Sequence, residues 1–171
     1  MAALLRFFVE LAMLRRGPQD LPSSSALLVL MALLSVAVGT VNGAEFFGGV
    51  RSAFAANLLD LLLSMVLVFA LLQIKGRLAR WMQTMTAFLG LGVLAGLIML
   101  LLRSPAEAMG VAQLASVIDL ILAIWLQVAL GSVLRHALDI PLMAGVIIVL
   151  SYTVIAFNLI ARVVSPAMMG A

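Results

Sequence analysis

The sequence has no cysteine and only one histidine, His136, among its 171 residues. Without cysteine, disulfide bonds, thiolate metal sites, iron–sulfur clusters and a cysteine nucleophile are excluded. One histidine cannot supply a bis-histidine haem site or a metal centre that needs several imidazole ligands. We therefore predict that the protein holds no metal and no cofactor.

Charged residues are also scarce. Lysine, arginine, aspartate and glutamate make up 10% of the chain, and ten basic against seven acidic residues give a net charge of +3. Because the basic residues are scattered rather than clustered in a patch, we expect no nucleic-acid partner. The sequence has no HExxH motif, no glycine-rich phosphate loop and no nucleophile elbow, so we expect no enzyme.

Apolar residues, in contrast, make up 65% of the chain, and the mean hydropathy is +1.28, far above that of soluble domains. A helix needs about 20 apolar residues to cross a hydrocarbon core of about 30 Å. Five stretches satisfy this requirement, at 25–43, 53–73, 82–102, 112–133 and 141–161. The short connections make consecutive helices antiparallel neighbours. We predict an all-α integral membrane bundle of five transmembrane helices.

The positions of lysine and arginine predict the orientation, because basic residues close to the ends of spans stay on the cytoplasmic side. A cytoplasmic N-terminus places seven of the ten basic residues inside and leaves three, Arg51, Arg103 and Arg162, outside. We therefore predict a multi-pass protein of the bacterial inner membrane, with its N-terminus in the cytoplasm and its C-terminus in the periplasm.

The N-terminal segment 1–22 precedes the transmembrane domain at 23–171. Up to Arg16 it has the pattern of an amphipathic helix, in which Arg6 and Glu10 pair on the polar face. The apolar face consists of Leu4, Phe7, Phe8, Leu11 and Leu14. We predict that this helix lies flat at the membrane interface. A helix docked on the bundle and a partner-binding helix are the alternatives, whereas the charged pair argues against a signal peptide.

Two ionisable residues, Asp60 and Asp119, lie inside the spans, where an acid costs roughly 2.5–3.5 kcal/mol. Their local sequences are similar, and their separation of 59 residues suggests that spans two and three and spans four and five are parallel repeats. Polar residues on the same helical faces complete a candidate intramembrane site, which consists of Asp60, Asp119, Asn57, Ser116, Asn158 and Arg162.

This polar site has two interpretations. In the first, desolvated carboxylates load and release a proton or cation, as in coupled transport. In the second, the acids hydrogen-bond or pair with neighbouring side chains and hold the helices together.

Two further features concern packing and surface contacts. Gly92 and Gly96 match the small-xxx-small pattern of closely packed helices, within the bundle or between two copies of the chain. A basic cytoplasmic surface could bind anionic lipid or an acidic partner, or could only anchor the topology; it comprises Lys75, Arg77, Arg80, Arg15 and Arg16. At the end of span four, His136 is expected to interact with the helix terminus, and Asp139 is expected to cap span five.

Three segments carry a family resemblance: Gly76-Arg-Leu-Ala-Arg-Trp-Met-Gln-Thr-Met-Thr-Ala-Phe-Leu-Gly90, Gly17-Pro-Gln-Asp-Leu-Pro22 and Leu134-Arg-His-Ala-Leu-Asp139. With these the chain resembles small proteobacterial five-span membrane proteins loosely related to the Yip1 family. The resemblance implies a five-span bundle with a cytoplasmic N-terminus. Eukaryotic members bind small GTPases and organise vesicle membranes, but their acidic Asp-Leu-Tyr-Gly-type segment is missing here, so the resemblance assigns no site residue.

These observations predict a non-enzymatic membrane protein that acts as an adaptor, organiser or accessory subunit of a membrane assembly. Its partners would be the lipid bilayer and other membrane proteins or a second copy of the chain. The alternative is a small proton- or cation-coupled transporter or channel subunit that uses Asp60 and Asp119.

Overall fold

A computed structural model describes the backbone of residues 2–108 and 112–169, and the side chains of 4–102, 113 and 116–164. Residue 1 of the predicted N-terminal helix and the side chain of Arg103 lie outside these ranges. Within the described residues the chain forms six α-helices and no strand. The helices are α1 Ala2–Ala12, α2 Ser25–Gly43, α3 Val50–Ile74, α4 Trp81–Ala108, α5 Ala112–Leu138 and α6 Leu142–Met169.

Five of these helices, α2 to α6, are long and apolar enough to cross a membrane, which confirms the predicted number. Helix α2 has the predicted bounds, whereas the other four extend beyond the predicted stretches. Helix α3 begins before Arg51, and α5 continues through Arg135. Arginine ends an apolar run, but it is a good helix former. The length of the apolar stretch therefore underestimates the length of the helix.

The five long helices form a closed ring in the order α2, α3, α6, α5, α4, in which each helix packs against two neighbours. Helices α3 and α6 are adjacent in space although they are distant in sequence, and their contact is the smallest in the ring. Helix α1 packs mainly against α4 and also touches α5. The ring places the inner faces of five helices around a common centre.

Helix α1 differs from its predicted form. It ends at Ala12, and Leu14, predicted on its apolar face, is 42% exposed with a left-handed φ of 61°. The ring of Phe8 lies so close to Gly90 that a Cβ atom there would be 2.0 Å from it. Gly90 lies near the middle of the apolar stretch Leu78–Leu102. The helix is therefore docked on the bundle beside Gly90, which agrees with the docked alternative. Its depth in a membrane stays a prediction.

The charged residues of this N-terminal segment pair with one another. Arg6 Nε donates to Glu10 Oε1 at 2.9 Å, which confirms the predicted pair, and Arg16 also contacts the Glu10 carboxylate. The guanidinium of Arg16 lies 5.4 Å from the centre of the Phe7 ring. These contacts hold the turn after α1 against its own helix.

One end of the ring carries most of the basic residues, and we call it the basic end: Arg15, Arg16, Lys75, Arg77, Arg80 and Arg135. Here the Gln83 amide donates to the Leu21 carbonyl at 2.6 Å, which ties the N-terminal segment to α4. Asp139 follows α5 with a φ of 51°, and the Ile140 amide donates to the Arg135 carbonyl at 3.2 Å. This is a C-terminal closure of α5. The sequence predicts that Asp139 caps α6. In the structure it closes the C-terminal end of α5 instead.

Candidate functional site

The centre of the ring contains a partly open cavity of about 310 Å³, lined by residues from all five long helices. It lies halfway along them: Gln127 is the central residue of the apolar stretch Ser116–Leu138, and Thr153 is the central residue of Leu142–Val164. Helix α4 contributes Gly92, and four other helices contribute polar side chains, Ser35, Asp60, Ser64, Gln127, Tyr152 and Thr153.

Asp60 supplies the negative charge of this cavity, and Tyr152 from α6 holds its carboxylate. The Tyr152 hydroxyl donates to Asp60 Oδ1 at 2.7 Å and also lies 3.0 Å from the Asp60 carbonyl oxygen. This hydrogen bond joins α3 to α6, the two neighbouring helices that have the smallest contact in the ring. It leaves Asp60 Oδ2 available to a second partner.

A second hydrogen-bonded pair lies on the neighbouring wall, between α5 and α6. The Gln127 side-chain amide donates to the Thr153 hydroxyl at 3.0 Å. The Thr153 hydroxyl in turn lies 3.0 Å from the Val149 carbonyl oxygen, one turn earlier in α6. Thr153 follows Tyr152 directly, so the two pairs place carboxylate, phenol, hydroxyl and amide groups around one space.

Two polar residues that precede and follow Asp60 on α3 have structural hydrogen bonds. Ser64 is 2% exposed and donates to the Leu61 carbonyl at 2.8 Å, while it also lines the cavity. Asn57 donates to the Ala53 carbonyl at 2.8 Å. Its Oδ1 atom would be 2.0 Å from a Cβ at Gly39, so this side chain packs against α2 and does not line the cavity.

The second acid, Asp119, is not part of this cavity. It does not line the space around Asp60, and its buried Oδ1 has no hydrogen-bond partner among the described residues. Ser116, predicted to accompany it, is exposed on α5. The described cavity therefore contains Asp60 and not Asp119, and the similar sequences around the two acids have different surroundings.

The predicted contribution of α6 is also corrected. Asn158 donates to the Val154 carbonyl of its own helix at 2.8 Å, and both Asn158 and Arg162 are exposed. Residues 152 and 158 are six positions apart, about 240° around a helix, so they point in different directions. Tyr152, and not the predicted Asn158, is the residue of α6 that hydrogen-bonds to Asp60. A tyrosine in the middle of an apolar helix was the available signal, because its hydroxyl needs a partner.

The two glycines of the small-xxx-small pattern have different roles. A Cβ at Gly96 would lie 2.5 Å from Val38 Cγ1, and Asn42 donates to the Gly96 carbonyl at 3.2 Å. Gly96 therefore lets α2 approach α4, as expected for packing within the bundle. Gly92 has nothing within 4 Å of its Cβ position, because it faces the cavity. The prediction that it packs against another helix is not supported within the chain.

The predicted basic surface is partly occupied by internal contacts. Arg77 binds the Asp139 carboxylate, and Arg80 Nη1 lies 3.3 Å from the His136 carbonyl and 3.9 Å from Asp139 Oδ1. The hydrogen bond from Arg77 lowers the pKa of Asp139 below its usual range. His136 bonds through Nδ1 to the Ser132 carbonyl at 2.8 Å. In the part of the chain that the structure describes, Lys75 and Arg15 are exposed without an ion-pair partner.

Among the described residues, no group of three histidine, aspartate or glutamate side chains forms a metal site. Comparisons with family models, with curated proteins and with solved structures give no match. The resemblance to the Yip1 family therefore stays a prediction. The central cavity and its Asp60–Tyr152 pair are the basis for a functional proposal.

Proposed function

We propose that α2 to α6 span the inner membrane of a bacterium, with the N-terminus in the cytoplasm and the C-terminus in the periplasm. The support is the length and apolar character of the five helices, together with the excess of arginine and lysine at the basic end. The resemblance to bacterial relatives of the Yip1 family agrees with this topology. A C-terminal alkaline phosphatase fusion, which is active only outside the cytoplasm, tests the orientation.

Within this membrane topology, we propose that the protein is a small proton- or cation-coupled transporter or channel subunit. The observation that carries the proposal is the central cavity, in which the described residues place the carboxylate of Asp60 and polar side chains from four helices. Halfway along the spanning helices is the middle of the bilayer, where polar groups are costly and where transporters bind their ligands. The sequence favours an adaptor, whereas the cavity supports this alternative, with Asp60 and without Asp119 as its acidic residue.

The contacts define separate roles for the residues of the site. Asp60 binds the proton or cation, because it is the acidic residue that faces the cavity. Tyr152 positions the carboxylate by donating to Oδ1, so that Oδ2 faces the incoming charge. Gln127 and Thr153 extend the polar surface and offer oxygen atoms to a cation after it leaves Asp60.

Flux into proteoliposomes tests this function. Vesicles of phosphatidylethanolamine and phosphatidylglycerol enclose a pH-sensitive or a sodium-sensitive dye, and valinomycin with a potassium gradient sets the potential. We expect Asp60→Asn to reduce proton or sodium flux by about tenfold or more, because asparagine keeps the acceptor for Tyr152 but loses the charge. Asp119→Asn is the matched control and is expected to leave flux unchanged, since Asp119 does not line the cavity.

Equal flux in the wild-type protein and in Asp60→Asn would overturn the transport function, as would the absence of both proton and sodium flux in the wild-type protein. The adaptor function is the second candidate. It is favoured by one observation at the basic end. Lys75 and Arg15 are exposed and have no ion-pair partner among the described residues, so they are available to anionic lipid or to an acidic partner. Absence of flux, with a partner recovered from the native membrane only when both residues are present, would support it.

A further inference from the structure

We propose that the central cavity binds a small organic monocation, an amine or quaternary ammonium with an apolar body. This inference rests on the proposed transport function, because it names the ligand class of the same cavity. Three properties of the cavity carry it: its size, the sign of its charge, and the apolar and aromatic character of most of its wall.

The size of the cavity exceeds what a proton or a bare metal ion needs. Its volume is about 310 Å³, whereas one water molecule occupies about 30 Å³ in the liquid. Pockets for small organic molecules begin at about 300 Å³. An inorganic cation on Asp60 would leave most of the space to be filled by water against apolar side chains. An organic body fills that space without this cost.

The charge and the wall select a cation with an apolar part. The described residues around the cavity include the carboxylate of Asp60 and no lysine, arginine or histidine. Phe88 from α4 and Phe157 from α6 line it together with Tyr152. Aromatic faces attract ammonium groups, most strongly when water is excluded. Aliphatic side chains, among them Leu126, Leu130 and Ile160, line much of the rest of the wall beside the polar groups described above.

An apolar groove adjoins the cavity at the seam between α3 and α6. It has a volume of about 470 Å³, and it shares Tyr152 and Ala156 with the cavity wall. The other side chains of the groove are nearly all aliphatic, among them Leu63, Leu67 and Ile155. A ligand with an apolar body can therefore approach from the lipid side between α3 and α6, and its charge can then reach Asp60.

Gly92 allows the cavity to be filled without disturbing the bundle. Its Cβ position has no atom within 4 Å and faces the cavity, so a larger side chain enters open space. Replacement of a helical glycine also favours the helix by roughly 0.5–1 kcal/mol. Gly92→Leu is therefore expected to fold and to occupy part of the ligand space, and Gly92→Ala is its matched control because alanine adds one methyl group.

Equilibrium binding of radiolabelled benzyltrimethylammonium to the full chain in lipid nanodiscs tests the inference. This probe has a permanent charge and an aromatic body. We expect saturable binding that unlabelled probe displaces and that phenylacetate, an anion of similar size, does not. Asp60→Asn should weaken binding by about tenfold or more, and Asp119→Asn should leave it unchanged. Gly92→Leu should abolish binding, while Gly92→Ala should retain it. Elution volume and thermal stability verify that each variant folds.

The possible failures are distinguishable from failure of the transport function. Saturable binding that is the same in Asp60→Asn, or that survives Gly92→Leu, would overturn the inference, because the probe would then bind elsewhere. No saturable binding together with proton flux that depends on Asp60 would also overturn it and would leave the transport function standing. Binding that depends on Asp60, in a protein without flux, would support the ligand class and contradict transport.

Discussion

The two halves of the bundle are held together by different amounts of apolar contact. In the half at the basic end, one continuous cluster of buried residues includes members of all six helices. In the opposite half, the side chains that the structure describes form a separate cluster of four buried residues from α3 and α6, namely Ala56, Ala156, Ile160 and Val164. Because buried apolar area is the main stabilising contribution, we expect the basic half to be the more stable one among the described residues.

Helix α4 shows how the basic half reaches this density. Residues 84–91 are all buried, because α1 covers the face of α4 that α2 and α5 leave open. The hydroxyls of Thr84 and Thr86 donate to the Arg80 and Met82 carbonyls at 2.8 Å and 2.7 Å, so two polar side chains are satisfied within the helix. A helix that is buried on every side can be apolar all round, which explains the weak amphipathic pattern of this segment.

The central cavity lies between the two clusters, and Ala156 and Ile160 of the smaller cluster form part of its wall. On the other side, Phe88, Leu89 and Leu130 belong to the larger cluster. One wall of the cavity is therefore backed by the large cluster. The other wall, which we call the thin wall, is backed by few buried residues among those described. We expect the basic half to act as the fixed part of the molecule.

The largest predicted effect concerns a close contact in the basic half between Gly131 of α5 and Gly145 of α6. A Cβ at Gly145 would lie 2.2 Å from the Gly131 carbonyl oxygen, which is a backbone atom that cannot move aside. Gly145→Leu should therefore lower the free energy of unfolding by about 3 kcal/mol or more. Thermal unfolding and denaturant titration in detergent measure this loss.

Gly92→Leu is the control for that substitution, because it adds the same side chain at a glycine in the same bundle. It enters the cavity, where nothing lies within 4 Å, so its stability should stay within about 1 kcal/mol of the wild-type protein. Equal stability of both variants would mean that the contact between α5 and α6 can relax. The basic half would then not be the rigid one.

A smaller effect is expected when one buried side chain is truncated in each half. Leu134 is 1% exposed in the large cluster, and Ile160 is 7% exposed beside the cavity. Leu134→Ala should cost about 3–4 kcal/mol and Ile160→Ala about 2 kcal/mol, because the thin wall can collapse into adjacent space. Urea or dodecyl sulfate titration compares the two. A cost for Ile160→Ala as large as that for Leu134→Ala would contradict the difference between the halves.

Helix number and class were predictable from sequence because both depend on long apolar stretches, which are local features. The bounds of α2 are those predicted, since Ser24 caps its first turn by accepting from the Leu27 amide. The placement of α1 was not predictable in this way. Its amphipathic pattern fits an interface and a groove equally, and the groove exists because Gly90, far away in sequence, leaves room for Phe8.

The candidate site shows the same division between local and tertiary information. Asp60 was identified as costly in an apolar helix, and it faces the cavity. Its partner was missed, because choosing between Tyr152 and Asn158 requires the rotation of α6 relative to α3. The glycine pattern identified Gly96 but not the pair Gly131 and Gly145, which come from different helices and meet only after packing.

The smallest predicted effect concerns the ion pairs at the basic end. They connect the segment before α4 to the residue that follows α5. Asp139 binds Arg77 and approaches Arg80, but its side chain is 60% exposed, so solvent screens the pair. Its pKa is lowered by the hydrogen bond from Arg77. A lowered pKa in the folded state means that the stabilisation is present above the pKa of the unfolded chain and is lost as the pH falls through the folded value.

Asp139→Asn should therefore reduce the unfolding temperature slightly at neutral pH, and the difference from the wild-type protein should shrink as the pH falls below about 4 or as salt is added. Asparagine tolerates the left-handed backbone of this position, where φ is 51°, so the substitution removes the charge without straining the turn. Lys75→Gln is the control, because Lys75 has no ion-pair partner in the described part of the chain. A difference for Asp139→Asn that persists unchanged in acid and in high salt would show that packing, rather than the ion pair, joins α4 to α5 at this end.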